Sequence, residues 1–305
     1  MSNKIVITGA SGFLGRHLLE RLKNDEEYQV FAFSSHPEDL REKITGTNIT
    51  YCHKDCLFDD SMKQTLRDST VINCAYPRNS SGPEIAKGLE YCRDVFMAAV
   101  ESDATAIVNI SSQSVYSSKR EEAATEETPV CLESQYAIGK YAMELLLESV
   151  CAFGTTCFTN IRLASLIGPG FDQRIINRLV KQAVVRGTIE INRNHQIFGF
   201  FDVQDAVSGI VAMLSSEKDT WKKVYNLGGA SGCSLEDIGE TIKQVIHDSE
   251  HKDITVLYHD GDEIGSTVID SHLFYNEFGF NPNRLMTLYE STSRILNMIQ
   301  AESDY

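Results

Sequence analysis

Apolar residues along the chain gather into short, nearly unbroken runs, and the stretches between them carry the three-to-four-residue spacing of helices. The runs of the first half are "KIVIT", "YQVFAF", "NITYC", "TVINCA", "TAIVNIS" and "TCFTNIRLA". Continuous rather than alternating apolarity is what a strand needs when helices cover both faces of its sheet. The intervening helical patterns run from Leu14 to Lys23, near Ser61 to Asp68, from about Glu84 to Ser102, and through "SQYAIGKYAMELLLE". This alternation predicts an α/β fold, a doubly wound parallel sheet with crossover helices.

Past "IGPG" the pattern changes. A helix is expected near Ile175 to Arg186, then short strands "TIEIN" and "IFGFF", then a helix from about Val203 to Leu214 and a buried strand in "KVYNLGG". "CSLEDIGETIKQVI" opens with Ser234 three residues before Asp237, a capping-box start. "DITVLYH", "STVID" and a terminal helix near Met286 to Ile299 complete the chain, while "KREEAATEETP" reads as an exposed acidic insert. Without a repeat or a low-complexity linker, the second part is interleaved with the first as a smaller α+β substrate lobe. The expected division is 1–168 with a returning segment near 200–229, against 169–199 and 230–305.

Composition narrows the function classes. The 305 residues can bury a sizeable core, and 42% hydrophobic with 23% charged residues is ordinary for a globular protein. A net charge of -15 repels nucleic-acid phosphates and anionic lipid, so neither is an expected partner. The opening "MSNKIVITGA" breaks too early for a signal peptide, and no apolar run reaches the roughly 18 residues of a membrane span. Eight scattered cysteines without a C-x-x-C pair suit free thiols in a cytoplasmic, reducing setting. Cys52, His53 and Cys56 lack a second ligand pair, so no metal is expected.

The glycines add chemistry. In "IVITGASGFLGRHLLERL", Gly9, Gly12 and Gly15 follow a strand and open a helix. That Rossmann-type arrangement supplies a tight turn, close approach of a dinucleotide pyrophosphate, and close helix packing; Ser11, Phe13 and Leu14 complete the expected cofactor loop. After the second strand an NAD site normally carries an acid for the ribose hydroxyls. Here Ser34, Ser35 and His36 stand instead, so NADP is favoured over NAD, with these residues or Arg41 reaching the 2′-phosphate.

"YAIGK" places Tyr136 and Lys140 on one helix face. With 12 tyrosines in the chain such a spacing arises readily by chance, so its meaning comes from its surroundings. "TGASGFLG", "NISSQSVY", "YAIGK", "IRLASLIGPG" and "VYNLGG", in this order, resemble the extended short-chain dehydrogenase/reductase family, in its NAD(P)-dependent epimerase/dehydratase branch. The resemblance implies hydride transfer with Ser112, Tyr136 and Lys140 as the catalytic set, Asp55 with Cys56 at the adenine, and Cys74 with Ala75 lining the cofactor. A free tyrosine, with a pKa of about 10, is a poor base near neutrality; a neighbouring ammonium favours its phenolate.

The same comparison marks departures. Dehydratases of the branch carry Asp-Glu after the serine, where this chain has Gln113-Ser114, which argues against a dehydratase. Gly88 stands where a helix asparagine is usual. Phe198 and His259 occupy the places of two diphosphate-binding arginines, leaving Arg193, Arg174 and Arg78 as nearby cations. Expected substrate contacts are Tyr76, Arg78, Gln113, Ser165, Asn177 and Phe198. The expectation is an oxidoreductase or epimerase acting on a secondary alcohol or carbonyl of a small molecule. The substrate is a sugar or nucleotide-sugar, or a non-nucleotide metabolite, and a silent NAD(P)-binding regulator is the reading from another class. The resemblance also implies a homodimer through paired helices. Trp221 is expected at a surface edge.

Overall fold

The computed structural model describes residues 2–77, 81–229 and 231–303. The chain forms two compact units: Met1–Val115 with Val130–Arg162 and Ile210–Tyr225, and Tyr116–Pro129 with Leu163–Gly209 and Asn226–Tyr305.

In the first unit the apolar runs become strands β1 (Asn3–Thr8), β2 (Tyr28–Ser34), β3 (Ile49–His53), β4 (Ser69–Asn73), β5 (Ala106–Ser112) and β6 (Cys157–Leu163). Helices α1 (Phe13–Leu22), α2 (Pro37–Lys43), α3 (Lys63–Leu66), α4 (Gly82–Glu101) and α5 (Gln135–Cys151) connect them. The strand order is β3-β2-β1-β4-β5-β6, with β10 (Val224–Leu227) added beyond β6. β1 pairs in parallel with both β2 and β4, so the winding reverses between β1 and β4. One stripe of α4 (Cys92, Val95, Phe96, Ala99) and one of α5 (Met143, Leu147, Cys151) are buried with Val6, Val71 and Ile107 of the sheet. Each such large apolar side chain contributes roughly 2 kcal/mol by leaving water.

A polar ladder also crosses the sheet. Thr8 Oγ1 donates to Asn73 Oδ1 at 2.7 Å, Asn73 Nδ2 to Asn109 Oδ1 at 3.1 Å, and Asn109 Nδ2 to Asn160 Oδ1 at 2.8 Å. All four residues are buried. A shift of one residue in any strand would leave these amides unpaired in an apolar layer, so the ladder fixes register across β1, β4, β5 and β6.

The second unit contains β7 (Ser165–Ile167), α6 (Ile175–Arg186), β8 (Thr188–Ile197), β9 (Phe200–Asp202), α8 (Leu235–Glu250), β11 (Thr255–Ser266), α9 (His272–Phe278) and α10 (Leu288–Ser303); α7 (Val203–Leu214) starts in it. β11 pairs in parallel with β8. Ser234 and Asp237 form the expected capping box. Ile176, Val180, Ile189, Ile238, Ile242 and Leu296 build the core.

Several expectations need correction. The helix near Ser61 to Asp68 is the single turn of α3, preceded by a 3-10 turn; it buries only Leu66 and stops before Asp68, whose φ is +59°. "TIEIN" extends to a ten-residue strand because β11 pairs along it, and "STVID" contributes only its first residue to β11. The acidic insert is not wholly exposed: Ala124 is buried and bridges to Ile269. Trp221 is buried, its Nε1 donating to Ser216 Oγ at 2.8 Å. Among the described residues no helix is long and apolar enough to cross a membrane.

Candidate functional site

The chain leaves β1 at Gly9 with φ +65°, a region costly for any residue bearing a Cβ. A Cβ on Gly9 would stand 2.6 Å from Ala75 N, and one on Gly15 would stand 2.5 Å from Gly9 O. Gly12 is the N-cap of α1 without a side-chain cap, its N donating to Gly9 O at 2.9 Å. The first amides of α1 thus face outward with a positive helix end behind them, a site suited to an anion. Because Thr8 pairs with Asn73, and Cys74 N donates to Thr8 O at 3.1 Å, the turn after β1 and the segment after β4 meet at the reversal point.

A cavity of about 450 Å³ opens there. Its walls include Gly9, Ser11 and Gly12, then Ser34 and Ser35, then Cys74, Ala75 and Tyr76. These come from both the cofactor and the substrate expectations. Phe13, Leu14, Gly15, His36, Asp55 and Cys56 are not among the walls. Leu14 and Gly15 are buried in α1, and His36 precedes α2 with its N donating to Ser34 Oγ at 3.1 Å. Asp55 and Cys56 sit in the 3-10 turn after β3. Asp55 is held below the usual carboxylate range chiefly by the Lys54 ammonium, 2.6 Å away. Arg41 pairs with Glu38 at 3.4 Å and lies over the Tyr51 ring.

Lys54 does line the cavity, and the sequence reading did not single it out. The signal was a lysine beside the expected adenine contact. Pairing of Ser34 with His53 is what brings it to the wall that holds Ser34 and Ser35.

α5 starts behind Ser134, whose hydroxyl accepts from Ala137 N at 3.1 Å. Tyr136 is therefore in the first turn, half-buried, and Lys140 one turn later, buried. Lys140 Nζ donates to the carbonyl of Ile110 at 2.7 Å and lies 4.4 Å from the centre of the Tyr76 ring. Ser112, two residues beyond Ile110, ends β5; its Oγ accepts from Ser114 N at 3.1 Å. Gln113 is buried in the turn that follows. Lys140 and Ser112 thus meet the carboxyl end of β5, and Tyr136 stands one turn before Lys140 on α5. Burial pushes the Cys74 thiol up to about 12 against the opposing charge of Lys140, and the Tyr76 hydroxyl also up to about 12. Both stay neutral as wall groups.

In the second unit, Ser165 N donates to Gly199 O at 3.2 Å. Asn177 is buried, its Nδ2 donating to Gly168 O at 3.0 Å, while its Oδ1 has no partner among the described residues. Phe198 stacks on Phe200 with centroids 5.7 Å apart and bridges to Cys233. His259 lies 3.6 Å from Glu190, and both border a cavity of about 420 Å³ with Arg178 and Asn192. Arg193 pairs with Glu236 at 3.1 Å, and Arg174 lies over Phe171. Arg78 falls outside the described residues.

Residues 5–228 match the NAD dependent epimerase/dehydratase family. A Bacillus subtilis (strain 168) protein called uncharacterized UDP-glucose epimerase YtcB is 27% identical over 263 residues, covering 79% of this chain and 82% of that protein. The solved UDP-glucuronic acid 4-epimerase of Bacillus cereus, in complex with UDP-glucuronic acid and NAD, superposes with a TM-score of 0.84 at 22% identity. That match covers 98% of this chain and 99% of the other. MoeE5, in complex with UDP-glucose and NAD, gives 0.81 at 21% identity over 99% and 100% of the two chains.

Proposed function

The chain belongs to the NAD dependent epimerase/dehydratase family, and from that membership we propose that it is a UDP-sugar 4-epimerase, oxidising and re-reducing one secondary alcohol of the sugar. The observation that carries this is the bond from Lys140 Nζ to Ile110 O, which ties the Tyr136 helix to the strand end bearing Ser112. The relatives named above support the substrate class.

A dinucleotide fits this chain because Gly9 and Gly15 let the backbone of the turn pack where a Cβ would clash with Ala75 or with the turn itself, and Gly12 leaves the helix end uncapped. Gly9, Ser11, Gly12, Ser34, Ser35, Cys74 and Ala75 would hold it. Bound nicotinamide supplies the hydride acceptor and donor. Tyr136 Oη takes the proton of the substrate hydroxyl and returns it. Lys140 favours the ionised phenol, and Ser112 Oγ holds the substrate oxygen. Tyr76, Gln113, Ser165, Asn177 and Phe198 are assigned to the substrate. No carboxylate ends β2, and Lys54 shares a wall with Ser34 and Ser35, which supports NADP binding more tightly than NAD.

A second reading, reduction of a non-nucleotide carbonyl compound, is supported by Phe198 and by a His259 already paired with Glu190. Direct titration with NADP and NAD, followed by turnover of UDP-glucose and UDP-glucuronic acid, decides. The expected result is an inverted sugar, lost about a thousandfold in Tyr136→Phe with cofactor still bound. Cofactor binding without any effect of a UDP-sugar sinks the first reading and leaves the second.

The eight free thiols suit a reducing, cytoplasmic setting. On α5, Ile138 and Leu145 stand 53% and 50% exposed at a spacing of two helical turns, which supports a homodimer through this face. Leu145→Glu is then expected to sediment as a monomer; a monomeric parent protein refutes the pairing.

A further inference from the structure

Tyr76 leaves the end of β4 and meets both members of the proton-transfer couple. Its ring face receives the Lys140 ammonium at 4.4 Å, and its edge packs against the Tyr136 ring with centroids 5.2 Å apart and planes at 88°. Its hydroxyl donates to the backbone carbonyl of Tyr136 at 3.3 Å. Two glycines make room for the segment. A Cβ on Gly139 would stand 2.3 Å from Tyr76 Oη, and one on Gly88 would stand 2.3 Å from Pro77 Cγ. The glycine inside "YAIGK" is therefore a slot for the Tyr76 hydroxyl, and Gly88 is a slot for the proline that follows.

We infer that Tyr76 is a positioning residue that acts through Lys140 and Tyr136: its ring holds the ammonium beside the phenol, and the Gly139 slot fixes the ring. This rests on the catalytic roles proposed above. A buried ammonium needs partners, and among the described residues Lys140 has the Ile110 carbonyl and the Tyr76 π face. The carbonyl alone leaves the ammonium free to swing about one bond; the ring removes that freedom. Tyr76 also stays out of proton exchange, since burial keeps its own hydroxyl neutral.

The test separates ring from bulk. Tyr76→Leu fills most of the space without a π face, while Tyr76→Phe keeps the face and loses only the hydroxyl. Leu is expected to lower kcat about tenfold and to move the low-pH limb of the kcat profile upward by about one unit. Phe is expected to leave the low-pH limb where the parent has it. Gly139→Ala pushes a methyl into the place of Oη and should reproduce the Leu defect. The Tyr76→Phe/Gly139→Ala pair removes the clashing atom and should recover activity.

A second readout needs neither cofactor nor substrate: the NMR signals of the Lys140 ε-methylene, shifted by the ring current, should collapse toward ordinary positions in Leu and persist in Phe. The proposal is overturned if Leu and Phe behave alike in the pH profile and in the Lys140 spectrum, or if the double variant fails to relieve Gly139→Ala. Absence of turnover with an intact Phe-against-Leu difference in the spectrum would instead overturn the assigned reaction and leave Tyr76 in its place.

Discussion

The two units treat buried carboxylates in opposite ways. In the first, Glu144 has a cation of its own: Arg162 donates from Nη2 to Oε2 at 2.7 Å and from Nε to Oε1 at 3.0 Å, and the Ser111 hydroxyl donates as well. In the second, Asp202 and Asp205 are three residues apart, and the nearby guanidinium bonds Asp202. Arg294 Nη1 donates to Asp202 Oδ1 at 2.8 Å, and Ser291 Oγ donates to Asp202 Oδ2 at 2.8 Å. Among the described residues Asp205 receives only the Met286 amide, at 2.8 Å. Burial in the first place, together with the charges of Asp202 and Glu290, pushes Asp205 up to about 6. The surplus carboxylate makes the second unit sensitive to mild acid at this spot.

The largest effect should come from opening the closed pair. Glu144 lies one turn beyond Lys140 on α5, and Arg162 is on β6, so the pair pins the catalytic helix to the sheet. Glu144→Ala leaves a buried guanidinium without its counter-charge and is expected to cost about 3–5 kcal/mol in urea unfolding. Glu144→Met combined with Arg162→Met removes both charges and should recover most of the loss, because well-packed apolar groups replace a desolvated pair at little cost. A loss below about 1 kcal/mol for Glu144→Ala would mean that solvent reaches the pair, and the contrast between the units would vanish.

What the chain disclosed in advance follows the range of each interaction. The glycine turn was legible because its conformation and its close contacts are demanded locally, at Gly9, Gly12 and Gly15. Ser112, Tyr136 and Lys140 were legible as an ordered set, although only the fold shows Lys140 bound to the Ile110 carbonyl. Lys54 was missed, since its place on the cavity wall depends on β2 and β3 pairing in register. Tyr76 was singled out only as a substrate contact; its packing on Lys140 needs β4 and α5 to meet, and no local pattern carries that. The lengths of β8 and β11 were underestimated for the same reason, because each is stabilised by a partner 67 positions away, as in Thr188 with Thr255. Arg162 inside the apolar run "TCFTNIRLA" was the one visible hint of a buried pair, a charge that a central strand cannot hold alone.

The surplus carboxylate gives the smaller effect, one with a definite sign. Its ordinary value is 3.8 and its value in the folded protein is about 6. Between those values the folded state keeps a proton that the unfolded chain has released, so stability falls as pH rises through about 4 to 6 and stays lower above that window. Asp205→Asn removes the titration while its side-chain oxygen still accepts from the Met286 amide. The variant should therefore lose the decline and stand above the parent at neutral pH by about 1 kcal/mol, once solvent screening is allowed for. In thermal melts that is roughly 2 °C, seen at neutral pH and absent at the acid end of the window. If the decline survives unchanged in Asp205→Asn, Asp205 is not the sensitive group, and the contrast between the two units' carboxylates fails.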